Sequence, residues 1–354
     1  MPNLILYAVP FFFLLIAIEL FVDHRLKSGT YHLADAVTSL SLGTLSQITG
    51  VFGKLIFIGL YAFVLERFAL FDLSAQNTWV WIGAFVAYDF FYYWNHRLGH
   101  EINVLWAAHV VHHSSEDYNL TTALRQTSSG FLFGWIFYVP MAVAGVPLPV
   151  FVTVAALNLL YQYWIHTQHI GKLGWFDRWF ASPSNHRVHH GQNDYCLDRN
   201  YGGVFMIWDR MFGTFVEERD NEKIIYGVRK PLHSWNPIWA NVQVYADLFR
   251  DARLAGNVGD GLRVFVKHPG WRPPMAEQRD PRAPYAIQEF RYFESSLDSR
   301  DAWKTVAMLS ALISFSLAFM LSVNRVPAWA GGIAVLILIG FAWLIGRSCS
   351  VPKS

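Results

Sequence analysis

Ten of the fourteen histidines in this chain fall in four short clusters. His96 and His100 lie in WNHRLGHE (94–101), and His109, His112 and His113 in AAHVVHHSSE (107–116). His166 and His169 lie in WIHTQHIG (164–171), and His186, His189 and His190 in NHRVHHGQNDYCLDRNYGG (185–203). Spacings of three and four put side chains on one face of a helix, so each cluster can aim two or three imidazoles at a common centre. A lone histidine at a helix end is ordinarily structural, and His24, His32, His233 and His268, outside the clusters, are read that way. Four clusters, two of them with the pattern His-x-x-His-His, point instead to metal. Zinc is satisfied by three or four protein ligands, whereas nine or ten imidazoles suit two ions, each with an open position. The zinc-protease motif HExxH nearly occurs at HEINV (100–104), but Val104 stands where the second histidine would be, and the protease reading fails. Imidazole serves iron, copper and zinc alike. Two redox metals at a membrane surface point to oxygen chemistry, because a metal of fixed valence gains little from so large a cage.

Each ligating ring needs its second nitrogen held by a carboxylate or carbonyl. Glu101 and Glu116 are the preferred carboxylates, with Asp117, Asp194 and Asp209 as further candidates and Asn119 and Asn193 as weaker ones.

The elements that position these residues are read from composition. The chain has 354 residues, is 53% hydrophobic and only 15% charged, with mean hydropathy +0.25. Soluble domains carry about 25% charge, so this balance indicates a membrane protein, in a bacterial cytoplasmic membrane or an endoplasmic reticulum. A net charge of +2 gives no reason to invoke nucleic acid, and Cys196 and Cys349 form neither a CxxC pair nor a disulfide framework. The block from 4 to 22 has no basic stretch before it and no small-residue cleavage site after it, so it reads as a retained span. Further candidate spans are 40–65, 79–95, 130–148, 150–165, 304–323 and 328–346. Pro140, Pro147 and Pro149 interrupt the pair from 130 to 165, which is either two tilted helices or a hairpin that dips in and returns. Residues 166–302 hold no apolar run of spanning length and read as a module outside the bilayer. NYGGVFMIWDRMFGTF (200–215) reads as a packing and membrane-surface element, with an interfacial helix and glycines that permit close backbone approach.

Walking the spans places every histidine cluster on one membrane face. Arg25, Lys27, Arg347 and Lys353, weighed against Arg67 and Arg325, make that face cytoplasmic. The expected fold is all-α and integral to the membrane: a multi-span helical bundle with a cytoplasmic helical cap carrying a histidine-rich di-metal site. It divides into N-terminal spans (1–78), a catalytic region of spans and histidine boxes (79–240), a cytoplasmic connection (241–302) and C-terminal spans (303–354). A metal carrier or sensor is the remote alternative. It would place ionisable residues inside the spans, which contain few, namely Glu19, Lys54 and Asp89.

The order His-x-x-x-His, His-x-x-His-His and a second His-x-x-His-His on a membrane scaffold resembles the fatty acid hydroxylase / sterol desaturase superfamily. HRLGHEINVLWAAHVVHHSSEDYNLTTALRQ and NHRVHHGQNDYCLDRNYGGVFMIWDRMFGTF carry the resemblance over about residues 80–240, most like members acting on alkylglycerol ethers. The resemblance implies a non-haem di-iron centre that uses O2 to hydroxylate or desaturate a lipid chain. Carried over residue by residue, it implies His96, His100, His109, His112, His113, His166, His186, His189 and His190 as iron ligands. His169 matches a position that is often not a ligand in relatives, and Gln162, one turn before His166, would reach iron only through water. Hydroxylation or desaturation of a sterol or fatty acyl chain remains open beside ether cleavage. No G-x-G-x-x-G, haem-attachment or ferredoxin-type motif is present, so a separate electron donor is required. The resemblance makes tetrahydrobiopterin one such donor.

Overall fold

The structure, a computed structural model, describes residues 4–295 and 297–349. In chain order its helices are α1 (Leu4–Leu26), α2 (Leu33–Phe68), α3 (Thr78–Glu101), α4 (Asn103–His113), α5 (Leu120–Ala123), α6 (Trp135–Val143), α7 (Leu148–Tyr161) and α8 (Phe176–Trp179). These are followed by α9 (Pro183–His190), α10 (Ile207–Met211), α11 (Pro237–Leu254), α12 (Val258–Val266), α13 (Pro274–Arg279), α14 (Ser299–Ser322) and α15 (Ala328–Cys349). Among the described residues β-pairing is limited to two isolated bridges, Phe180 with Phe205 and Gly191 with Tyr226.

Among the described residues three helices are long and apolar enough to cross a bilayer: Tyr7–Leu26, Ser299–Ser322 and Trp329–Cys349. The two parts of α2, Leu33–Val51 and Ile56–Phe68, meet at 46° and make a fourth if taken as one bent span. The remaining expected spans are more polar or shorter. The 24-residue helix α3 is long enough to cross, at about 36 Å, though Asp89, Asn95, His96, Arg97 and His100 make it more polar than those three. At 1.5 Å per residue, α6 and α7 reach only about 14 and 21 Å, against a hydrocarbon core of about 30 Å. The proline-broken pair is therefore a hairpin whose arms are each too short to cross. Gly145 turns it with φ +86°, and a Cβ there would lie 1.9 Å from the Phe71 carbonyl oxygen.

Two apolar cores brace the scaffold. Leu45 and Ile48 of α2 pack with Leu309 and Leu312 of α14 and Leu338 and Ile345 of α15. Tyr61 of α2, Ala84 of α3, Tyr138 and Met141 of α6 and Phe151 of α7 form the second. α11 and α12 lie over α4, where Ala107, Leu248 and Val264 are buried together.

The local breaks that aim the histidines are readable in caps. α3 stops at extended Ile102, and α4 begins one residue later, its Asn103 held by the Lys267 and Val264 carbonyls at 2.9 and 2.8 Å. The chain so turns the His96/His100 end of α3 toward α4. Ser182 caps α9, accepting from the Asn185 backbone N–H, and Pro183 pre-sets its first turn.

The 200–215 segment holds only the five-residue helix α10. The expected interfacial helix gives way to a loop folded around two buried carboxylates. Asp209 accepts from the N–H groups of Tyr201 and Gly202, both at 2.8 Å, and from Thr214 Oγ1. Asp89 of α3 accepts from Val204 N, Phe205 N, Trp208 Nε1 and Asn158 Nδ2 at 2.7–3.0 Å. The expected close approach is real: a Cβ on Gly203 would meet the Tyr92 ring at 2.7 Å.

Candidate metal centre

Nine histidines from α3, α4, the segment after α7, and α9 converge in two groups. His96, His100, His109, His113 and His189 form one; His112, His166, His186 and His190 form the other. Within each group one ring nitrogen per histidine lies within 4.8 Å of all the others. In the first, Nε2 atoms approach at 3.0 Å (His96–His109), 3.1 Å (His109–His113) and 3.1 Å (His113–His189). In the second, they approach at 3.2 Å (His112–His166), 3.0 Å (His166–His186) and 3.2 Å (His186–His190). The groups adjoin, with the rings of His113 and His190 stacked 4.3 Å apart.

The opposite nitrogens explain why these contacts are not hydrogen bonds. His112 Nδ1 lies 3.1 Å from the Arg125 carbonyl oxygen, and His166 Nδ1 lies 2.8 Å from that of Gln162. A carbonyl only accepts, so each Nδ1 carries its ring's hydrogen and each Nε2 presents a lone pair. Two lone pairs facing each other at 3.2 Å repel unless a cation binds both. His96 and His189 are fixed in the same way by the Tyr201 and Arg199 carbonyls, both at 2.8 Å. His100 Nε2 is buried with no hydrogen-bond partner among the described residues. A metal–imidazole bond of about 2.1 Å gives edges of about 3.0 Å between ligands at right angles and about 3.4 Å in a tetrahedron. The closest contacts, 3.0–3.2 Å, fall in the range spanned by these two geometries. The donor set therefore fits two cations.

Burial, then the neighbouring imidazoles, pushes His109, His113, His186 and His190 well below the usual histidine range, and burial takes His112 down to about 4. These rings are neutral at physiological pH, the form that ligates.

The remaining predicted residues lie elsewhere. His169 is outside both groups, its Nε2 3.9 Å from Asp23. Gln162 contributes its backbone carbonyl to His166, while its side chain accepts from Tyr92 Oη and donates to Asn158 Oδ1, both at 2.7 Å. Glu101 pairs with Arg97 at 2.8 Å, and Glu116 accepts from the Phe293 N–H at 2.7 Å. Asp117 holds His32 and Tyr292, and Asp194 pairs with Arg229. Asn119 caps α5, and Asn193 bonds Glu222, Lys223 and Ile225. Asp209 acts one step removed, by fixing the loop that offers the Tyr201 carbonyl to His96. The expected carboxylate partners are thus replaced by backbone carbonyls, because the loops that supply them pass within reach of the rings. The carboxylate facing the centre is Asp198, 3.7 Å from His100 Nδ1. It sits in the quoted 185–203 stretch at positive φ (56°), which Asp and Asn tolerate best, and that placement left no sequence signal.

The histidines form a partition between two cavities. His96, His109, His112 and His166 face one of about 260 Å³, walled by Phe12, Leu105, Phe133, Leu159 and Tyr163 among others. His100, His113, His189 and His190 face another of about 680 Å³, walled by charged groups including Asp198, Arg229, Lys230, Asp247 and Arg250.

A helical membrane scaffold with this two-group histidine centre defines a class, and residues 81–214, which contain all nine histidines, match the fatty acid hydroxylase family. The chain is 42% identical over 273 residues to the alkylglycerol monooxygenase of Homo sapiens, covering 77% of this chain and 61% of that protein. The Xenopus tropicalis alkylglycerol monooxygenase is 40% identical over 272 residues, 77% of this chain and 60% of the relative. Ornithine lipid hydroxylase OlsE of Rhizobium tropici is 33% identical over 128 residues, 36% of this chain and 39% of the relative. The chain thus spans about three fifths of the length of these two alkylglycerol monooxygenases. No solved structure matches it.

Proposed function

We propose that the chain is a membrane-bound, O2-dependent di-iron monooxygenase that hydroxylates a lipid next to its polar end, with 1-O-alkylglycerols as substrates. The observation that carries this reading is the set of facing Nε2 lone pairs at the end of an apolar cavity. The likeness to alkylglycerol monooxygenases supports the choice of lipid.

His96, His100, His109, His113 and His189 would hold one iron, and His112, His166, His186 and His190 the other. Iron supplies there the redox chemistry by which one oxygen atom of O2 enters a C–H bond. The chain's own residues orient and exclude. Backbone carbonyls of Tyr201, Arg199, Arg125 and Gln162 fix the rings, and Phe12, Phe133 and Leu159 keep the substrate side apolar. Overall, the lipid C–H, O2, two electrons and two protons give C–OH and water. At the carbon beside an ether oxygen the product is a hemiacetal, which breaks its C–O bond to release aldehyde and glycerol.

The electrons come from a separate donor, tetrahydrobiopterin or another reductant, and the charged cavity offers it a water-facing approach to His100 and His189. The histidine face is cytoplasmic in this reading. Cysteine reporters near residues 115 and 220 are then protected from outside reagents, while one near 72 reacts.

The test is aerobic incubation of iron-loaded protein with a 1-O-alkylglycerol and reduced pterin, scoring the fatty aldehyde. The likeness to an ornithine lipid hydroxylase favours one second reading, hydroxylation of an early acyl carbon. Mid-chain desaturation of a fatty acid with alkylglycerols inert would defeat both.

A further inference from the structure

We infer that the substrate's alkyl tail leaves the histidine cavity through a passage between α1, α2 and α14, so that α14 sets the accepted chain length. This rests on the lipid-oxidising reading above. Phe12, Gln47, Leu124 and Gln126 line the 260 Å³ histidine cavity and also a second cavity of about 120 Å³. These four residues form a common neck at which the two spaces adjoin. Beyond the neck the walls are Leu40 and Thr44 of α2, Phe13 of α1, and Ile313, Leu317 and Met320 of α14.

Three observations favour this route for a tail. First, α1 and α14 are two of the helices apolar enough to lie in a bilayer, so the passage ends among lipid chains. Second, two polar side chains along it are quenched locally: Thr44 Oγ1 donates to the Leu40 carbonyl at 2.8 Å, and Gln126 Nε2 to the Ala123 carbonyl at 2.9 Å. An alkyl chain passing them leaves no bond unmade. Third, the other ways out are unsuitable. Between α2, α3, α6 and α7 the aromatic core is closed, with Tyr61 stacked on Phe151 at 4.2 Å and Tyr88 on Tyr138 at 4.6 Å. On the far side of the histidines the cavity is walled by charge.

The neck is set by backbone. A Cβ at Gly43 would lie 2.2 Å from the Leu124 carbonyl oxygen, so α2 touches the chain after α5 directly and the bore at Leu124 cannot widen there. Beyond it the bore depends on side chains of α14, which lies outside the 81–214 family segment. Tail-length preference thus belongs to a different part of the chain from the chemistry.

Two experiments test this on the full chain in phosphatidylcholine vesicles. A 1-O-alkylglycerol with a diazirine on its terminal carbon is photolysed in place and the adducts are mapped. Adducts on residues 313–320 and on Phe13 or Leu40 are expected. Adducts confined to Tyr61, Tyr138 and Phe151, or to α15, overturn the route, and this map needs no turnover, so it reads separately from the activity. For Leu317→Trp and Met320→Trp, the ratio of kcat/KM for long over short chains should fall about tenfold, the scale on which an apolar pocket discriminates. Phe315→Trp, 64% exposed on the same helix, should leave the ratio unchanged. An unchanged ratio in both pocket variants, with turnover retained, would overturn the assignment.

Discussion

The histidine centre and the terminal helices are held in place by opposite means. In the centre, directed bonds between residues far apart in sequence fix each group: Tyr201 to His96, Arg199 to His189, Asp89 to the 204–208 loop, buried Arg125 to Asp35. In α1, α14 and α15, side chains such as Phe11, Phe315, Leu336 and Ile337 are 64–69% exposed, and position comes from apolar packing along one stripe. Glu19 is one exception, tying α1 to Tyr31, the Leu120 N–H and Thr167. Directed bonds make a region sensitive to single atoms; apolar packing in a bilayer tolerates substitutions of similar size. The comparison predicts where variants hurt.

The largest effects belong to the ligands. His189→Ala and His186→Ala should each lower metal content from two ions to one and cut turnover more than about 100-fold, beyond the cost of losing an outer partner. If either variant keeps both ions, the division into two groups is wrong. Next is the buried pair of Arg125 and Asp35, both 1% exposed and 3.5 Å apart. Asp35→Ala leaves the guanidinium unpaired beside His112 and should cost about 3–5 kcal/mol in unfolding. A loss no larger than that of Asp301→Ala, at the exposed start of α14, would show that the pair is not structural. Asp198→Ala should weaken metal binding about tenfold, read by chelator competition, with the effect confined to the group containing His100. Equal weakening of both groups would contradict that placement.

Smaller effects sharpen the boundary. Burial, aided by Asp35 and Asp117, lifts the Glu116 carboxyl from its usual 4.5 to about 7. Its folded-state value is thus the higher, so its stabilisation is present below pH 4.5 and lost as pH rises through about 7. Glu116→Gln should flatten the fall in Tm across that window; an unchanged slope would mean that Glu116 is not responsible. His169→Ala should keep both ions, and loss of metal there would add a tenth ligand.

The same contrast governs what the sequence discloses. Histidine side chains have identities and spacings, so ten clustered histidines stand out before any fold is known, and the family resemblance set nine of them apart from His169. α1, α14 and α15 are equally plain, because a long apolar run has few alternatives. The outer partners of the rings were hidden, because a backbone carbonyl at Tyr201 or Arg199 leaves no mark on residue type. Glu101 and Glu116 were natural choices on charge and proximity, but Arg97 and the Phe293 N–H engage them. The α6–α7 pair stayed open between tilted spans and a hairpin because hydropathy does not register how few residues remain between prolines. Asp89 looked like a stray charge in a span until the fold brought four donors to it.

The central claim, that these nine histidines hold two irons, is tested most directly by elemental analysis of the full chain purified without chelators. The account predicts two iron ions per chain, with neither zinc nor copper in stoichiometric amount. A single ion per chain, or zinc in place of iron, would contradict it.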